Sequence, residues 1–387
     1  MIQEGNEEVK MSSVHNAGPG MRLKRILRAT FSLRVLIVTV ITLVLLEVTL
    51  NVWLDYFAGR KALMDFGTVE ETLKRRTPRF VRHHYLNYAL SPTYNMSGTH
   101  HNRYGFRKPD FKIEKPEGTY RIATIGGSTT YTEFVSKDKN TYPARLEYEL
   151  KKMGYSNVEV VNAGVPGYTS WESLINFEFR VLDLDPDLVI IYQNVNDVHA
   201  RLVDPALYRG DNSGYRKPWE VPTTPWYERI SIVRVILRLT GHSENIRGIE
   251  SITQLQAPVH GKYRSRTRRL KENRPVYYER NIQNMIAIAK ANGVGVLLAT
   301  WAYNGEKHDY ISKDYYQKAV AEHNEIMKSL GRKHHVPVYD FAAEMPGQEC
   351  RKCWKDGRHV TRQGAAKKAR LFAEFIKKAR LIPDPEH

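Results

Sequence analysis

The chain has 387 residues, 42% of them hydrophobic and 26% charged, with a formal net charge of +17. This composition excludes a disordered or fibrous chain and leaves room for one large domain plus appendages. The positive excess implies attraction to something acidic, such as an anionic polysaccharide, a membrane surface or nucleic acid. It is spread along the whole chain, which argues against a dedicated nucleic-acid stripe.

Residues 1–34 form a basic N-terminal segment, with Arg22, Lys24, Arg25, Arg28 and Arg34 and no acid between Met21 and Arg34. Residues 35–54 follow, an apolar stretch whose one charge is Glu47. Twenty helical residues span roughly 30 Å, about the thickness of a bilayer's hydrocarbon core. The basic flank predicts a single-pass anchor with a cytoplasmic N-terminus and an extracytoplasmic remainder, periplasmic in a bacterium. Glu47 is costly in lipid, but it stands toward the outer end, where it can snorkel or sit shallow. No small-x-small cleavage site follows, so an uncleaved signal anchor is expected rather than a removed signal peptide, a buried globular helix being the alternative. Residues 55–115 read as a stalk and lead-in, polar and with little periodicity. Asn95-Met96-Ser97 is a glycosylation triplet of a kind that often arises by chance.

From residue 116 onward the pattern is that of an α/β domain. Arg121 to Ile125 reads as a buried strand, Tyr142 to Met153 as a helix with Pro143 in its first turn, and Val158 to Val161 as a second strand. Trp171 to Leu182 reads as a helix and Leu188 to Tyr192 as a third, fully apolar strand. After an insertion at 200–275 come a helix from Tyr277 to Ala291, a strand from Val294 to Thr300 and a helix from Asp314 to Leu330. A strand from Val336 to Phe341 and a helix from Arg362 to Ala379 complete the domain. Strands alternating with helices predict a central parallel sheet covered on both faces, with ligands at the carboxyl ends of the strands.

Residues with chemistry fall at those ends. Gly126-Gly127-Ser128-Thr129-Thr130 follows the first strand, Asn162 to Gly167 the second, Asn194-Val195-Asn196-Asp197 the third, and Asp356-Gly357-Arg358-His359 the last. A serine on a Gly-rich turn can expose its hydroxyl, and an Asp three residues before a His can supply the rest of a Ser/His/Asp triad from one loop. Other readings of each piece are weaker. The Gly-rich turn lacks the lysine of a Walker loop. Asp356 to His359 alone could be a turn into a helix, since Thr361 suits a cap. Cys350 and Cys353 are the only cysteines. A zinc site would need two further ligands, and a thioredoxin-type site would open a helix after a first strand. A structural disulfide stiffening the loop that carries Asp356 and His359 is favoured, with a pair of free thiols as the alternative.

The ordered set of blocks resembles the SGNH or GDSL-type hydrolases, over about Tyr104 to Leu371. Asn102-Arg103-Tyr104-Gly105-Phe106-Arg107 looks like a lead-in common in membrane-anchored members. The resemblance implies a flavodoxin-like three-layer sandwich. It makes Ser128 the nucleophile, His359 the base, Asp356 the acid that orients it, Gly167 the second-block glycine and Asn196 the third-block asparagine. The oxyanion donors would be the backbone N–H groups of Ser128 and Gly167 and the Asn196 amide, with Gly164 as the rival to Gly167. Two positions depart from the family pattern. Gly127 stands where an acid is usual, and Asn194 where glycine is usual.

The insertion at 200–275 carries cations mixed with aromatics, in Tyr215-Arg216-Lys217-Pro218-Trp219 and Lys262 to Arg269. It also holds an apolar segment, Arg229 to Leu239, suited to a short helix packing on a membrane or to a lid. The expectation is therefore a membrane-anchored extracytoplasmic serine esterase that hydrolyses or transfers a small acyl group, acetyl by family habit, on an acidic envelope or exported polysaccharide. The alternatives are a lysophospholipase or thioesterase acting on lipid acyl esters, and a catalytically silent binding or assembly component of the same fold. No metal, organic cofactor or nucleic-acid partner is implied, and the oligomeric state is left open.

Overall fold

The computed structural model describes residues 19–75, 77–96, 98–217, 223–243 and 265–383. It divides the chain into two units, Met1–Thr72 with Thr223–Ile246, and Leu73–Pro222 with Arg247–His387.

The larger unit is built on five strands: β1 (Tyr120–Gly126), β2 (Val158–Asn162), β3 (Leu188–Tyr192), β4 (Gly295–Ala299) and β5 (Val338–Tyr339). They pair in the order β2-β1-β3-β4-β5, and every pairing is parallel. Alternation along β1 divides the core. Ile122 joins Val160, Ile190 and Leu297 in one layer, against helices Tyr142–Lys152 and Arg362–Lys378. Ala123 and Ile125 join Val161, Val189, Ile191 and Leu298 in the other, against helices Val276–Ala291 and Asp314–His334. This is the three-layer α/β sandwich expected. After β1 the chain leaves to one side for β2 and returns on the other for β3. A crevice therefore opens at the carboxyl end of β1, where ligands bind in sheets of this kind.

Two expected elements differ. The helix expected from Trp171 to Leu182 is α-helical only over Ser170–Asn176, then continues as a wide turn over Phe177–Val181 and a tight one over Leu182–Leu184. The strand expected from Val336 to Phe341 pairs only over Val338–Tyr339, because it lies at the sheet edge behind Pro337, which has no N–H to give. Residues 80–111 of the expected stalk pack within the larger unit. Phe106 enters the β1 core layer, and Phe80, Leu86, Tyr88 and Leu90 cluster with Tyr131, Val165 and Tyr168.

In the smaller unit, helix Pro19–Val52 continues as a wide turn over Trp53–Phe57, and the stretch Thr30–Phe57 is the one among the described residues long and apolar enough to cross a membrane. Helix Arg60–Phe66 and helix Ser231–Leu239 belong to the same unit, so the insertion at 200–275 is not one continuous loop. Its two flanks belong to the larger unit, where the buried Arg201 guanidinium donates to Leu270 O (2.8 Å) and Asn273 O (2.7 Å).

Candidate active site

Ser128 opens a one-turn helix, Ser128–Tyr131, directly after β1 and the Gly126-Gly127 pair. Its Oγ lies 2.8 Å from His359 Nε2, and His359 Nδ1 lies 2.8 Å from Asp356 Oδ2. In the tautomer this network favours, Nδ1–H donates to the carboxylate and Nε2 accepts from the serine hydroxyl. The other carboxylate oxygen accepts from the backbone N–H of Arg358 (2.8 Å) and of His359 (2.7 Å). Burial alone would raise the Asp356 pKa. The His359 ring and the two N–H groups outweigh it and hold the carboxyl well below its ordinary value. Asp356 is therefore an anion wherever His359 can act as a base.

The loop that carries the pair is pinned at several points. Cys350 and Cys353 form a disulfide just before it. Lys355 N–H donates to His359 O (2.8 Å), and Asn304 N–H, beyond β4, donates to Gly357 O (2.9 Å). Arg358 Nε donates to Asp309 Oδ2 (2.8 Å), and Thr361 caps the following helix by accepting from Gly364 N (3.2 Å).

The groups expected to donate to an oxyanion differ in what they meet in the fold. Among the described residues, neither Ser128 N–H nor Gly167 N–H donates to a protein acceptor. Gly164 N–H, the rival, is taken by Asn162 Oδ1 (3.1 Å). Gly167 has φ +82°, a conformation that favours glycine. The Asn196 amide carries two N–H donors, and one of them goes to Tyr168 O (2.8 Å). Gly127 explains one departure from the family pattern: a Cβ there would stand 2.5 Å from Asn196 Nδ2. The absent side chain leaves that space to the amide. Asn194, the other departure, points elsewhere. Its amide donates to Val320 O (3.1 Å) and Asn324 Oδ1 (2.9 Å), tying the third block to helix Asp314–His334. Asp197 accepts from Ser170 N–H and Oγ–H and from Gln193, and burial raises its pKa to about 6.

Several supporting residues were not legible as such. Every carbonyl of Pro166-Gly167-Tyr168 is held by a side chain: Pro166 O by Tyr88 Oη (2.7 Å), Gly167 O by Arg216 Nη2 (2.5 Å), and Tyr168 O by Asn196 and by Gln193 Nε2 (2.7 Å). Arg216 also forms a buried ion pair with Glu172 at 2.5 Å. Burial opposes the charge on each, but their mutual attraction wins, lowering the Glu172 pKa and raising that of Arg216. Tyr215 and Arg216, which the sequence sets among the insertion's mixed cations and aromatics, are both buried. Lys262, Tyr263, Arg264, Pro218 and Trp219 lie outside the described residues. The buried Arg107 of the lead-in donates to Tyr131 O (3.1 Å), Thr132 O (2.9 Å) and Val135 O (2.5 Å), fixing the loop that follows the Ser128 helix. Phe134 on that loop has φ +65° and is 61% exposed, and its ring stands edge-on 5.1 Å from the His359 ring.

The comparisons follow from this arrangement. Residues 124–367 match the GDSL-like Lipase/Acylhydrolase family. No curated protein sequence matches the chain. Among solved structures, a lipase/acylhydrolase from Enterococcus faecalis is 19% identical, with 69% of this chain and 99% of that one covered and a TM-score of 0.42. An acetylxylan esterase from Geobacillus stearothermophilus is 14% identical, with 68% and 95% covered and a TM-score of 0.39. A lipolytic protein of the G-D-S-L family from Desulfitobacterium hafniense is 14% identical, with 68% and 100% covered and a TM-score of 0.40. With the matched region reaching from β1 into the final helix, the chain belongs to the GDSL-like lipase/acylhydrolase family.

Proposed function

We propose that the protein is a serine esterase that hydrolyses or transfers a small acyl group, acetyl in the first instance, on an acidic polysaccharide outside the cytoplasm, held to the membrane by its N-terminal helix. The observation that carries this reading is the unbroken relay from Ser128 through His359 to Asp356, at 2.8 Å in each step.

In this reading Ser128 Oγ attacks the ester carbonyl while its proton passes to His359 Nε2. Asp356 holds the ring in the required tautomer and stabilises the imidazolium. The tetrahedral oxyanion is met by the N–H groups of Ser128 and Gly167 and by the second N–H of Asn196; one such donor is worth about 10²–10³ in turnover. His359 returns the proton to the leaving alcohol. Water or a sugar hydroxyl then repeats the sequence on the acyl-serine, which is the whole difference between hydrolysis and transfer. Exposed Phe134 beside His359 suits an apolar contact at the mouth. The polysaccharide assignment is supported by the +17 charge. The intact relay counts against a silent assembly component, which has no use for it.

The test compares full-length protein with Ser128→Ala on p-nitrophenyl acetate, butyrate and octanoate. Ser128-dependent cleavage that favours acetate is expected. A preference for octanoate would turn the reading toward a lipid acyl ester, and no difference between the two proteins would sink the hydrolase.

A further inference from the structure

Helix Ser231–Leu239 turns the wrong face outward for a protein in water. Its sequence, Ser-Ile-Val-Arg-Val-Ile-Leu-Arg-Leu, places Arg234 and Arg238 four apart on one side. Ile232, Ile236 and Leu239, at helical spacing, lie on the opposite side. On a solvated surface helix the arginines face out and the apolar stripe faces in. Here the order is reversed. Arg234 is 1% exposed, whereas Ile236 is 54% and Leu239 70% exposed.

The reversed arginines are not stranded. Arg234 donates from Nε to Phe66 O (2.7 Å), from Nη1 to Glu228 O (2.5 Å) and from Nη2 to Ser231 Oγ (2.8 Å). Arg238 Nη1 donates to Asp65 O (3.1 Å) and Gly67 O (2.7 Å). They cap the carbonyls at the end of helix Arg60–Phe66, so the inward polar face is a built feature. Cations satisfied inside and hydrocarbon left outside is the arrangement that suits an apolar surrounding.

The start of the helix is fastened to the apolar span itself. Glu47 accepts from the backbone N–H of Ser231 (2.7 Å) and of Ile232 (2.9 Å), and Ser231 Oγ donates to Asn51 Oδ1 (2.7 Å). A carboxylate in the outer part of an apolar span is costly alone. Here it satisfies two otherwise unpartnered donors at a helix N-terminus, the end that favours a negative charge. Five rings stand exposed in the segments that meet here: Trp53, Tyr56 and Phe57 at the end of the span, and Trp226 and Tyr227 just before the helix. Such rings concentrate where hydrocarbon meets headgroups. An apolar cleft of about 360 Å³ lies among Val44, Val48, Ile230 and Val233 beside Glu47.

We propose that helix Ser231–Leu239 is a second membrane-seated element, lying in the interface with its Ile232–Ile236–Leu239 stripe among the lipid acyl chains. Nine helical residues reach about 13 Å, far short of a bilayer, so the helix lies on the membrane rather than crossing it. The partner is the lipid surface, and the inference rests on reading Thr30–Phe57 as a membrane anchor.

The test uses the full chain in phospholipid nanodiscs, spin-labelled at single cysteines. The native pair is bonded to itself. Labels go at Ile236→Cys and Leu239→Cys, at Val40→Cys on the anchor, and at exposed Lys318→Cys as the aqueous reference. Collision with oxygen, which concentrates in hydrocarbon, is compared with collision with a water-soluble nickel chelate. The expected result is an oxygen-to-nickel ratio at 236 and 239 that lies below that at 40 and several-fold above that at 318. A nickel-dominated signal at 236 and 239 beside an oxygen-dominated one at 40 would overturn the inference and leave the anchor standing. Exclusion of both colliders at 236 and 239 would also overturn it, in favour of a protein partner on that face. A nickel-dominated signal at 40 would mean that the anchor reading itself fails.

Discussion

At the residue scale, the chemistry depends on one missing side chain as much as on three present ones. Ser128, His359 and Asp356 form the relay, and the Asn196 amide occupies the space that a Cβ on Gly127, next to the serine in the chain, would need. Gly127→Ala would press a methyl group against the Asn196 amide, a flexible side-chain end that can move aside. The fold should therefore survive while the oxyanion donor is displaced. The expected outcome is a fall in kcat of about 10²–10³ with little change in KM, read by steady-state kinetics beside a thermal melt that stays near wild type. An unchanged kcat would remove Asn196 from the oxyanion site. Gly167 plays the complementary part. Its positive φ turns the peptide so that its carbonyl meets Arg216, while its N–H is given to no protein acceptor among the described residues.

At the element scale, the second block is held by parts of the chain far away in sequence. Tyr88 from before β1 and Arg216 from the insertion fix the two carbonyls on either side of the Pro166–Gly167 bond. Removing Arg216 would leave Glu172 buried without its counter-charge. Arg216→Met is expected to cost about 3–5 kcal/mol of stability. It should also lower kcat, because the Gly167 peptide loses its hold. Denaturant unfolding and ester turnover measured together check this; a variant as stable and as active as wild type would show the pair to be incidental. These particulars explain what sequence reasoning reached. β1, β2 and β3 are short apolar runs buried on both faces, and such runs announce themselves. Ser128 was legible as a candidate because it stands directly after a buried strand, and Asp356 and His359 because they stand three apart on one loop before the final helix. The structural part of Arg216 could not be read from the sequence, because nothing local reveals that Glu172, 44 residues earlier, lies opposite it. Arg107 was noticed only as part of a recurring segment. Its role, holding the Tyr131, Thr132 and Val135 carbonyls, exists only after the chain has folded. The edge strand β5 fell short of expectation because propensity does not say where a sheet ends.

At the scale of the whole molecule, the same rule of satisfying buried polar groups serves two different surroundings. In the larger unit, the relay and its supports lie at the carboxyl edge of a parallel sheet, with each carbonyl of Pro166-Gly167-Tyr168 given a side-chain donor. In the smaller unit, helix Ser231–Leu239 turns Arg234 and Arg238 inward and Ile236 and Leu239 outward, the order that suits an apolar surrounding. The account rests first on Ser128 as the nucleophile, and a covalent probe tests that most directly. A fluorophosphonate reacts only with an activated serine, and peptide mass spectrometry locates the adduct. The account predicts a single adduct on Ser128 in the full-length protein, absent from Ser128→Ala and strongly slowed in His359→Ala, whose serine lacks its base. Labelling at another serine, or a Ser128 adduct forming as fast without His359, would contradict it.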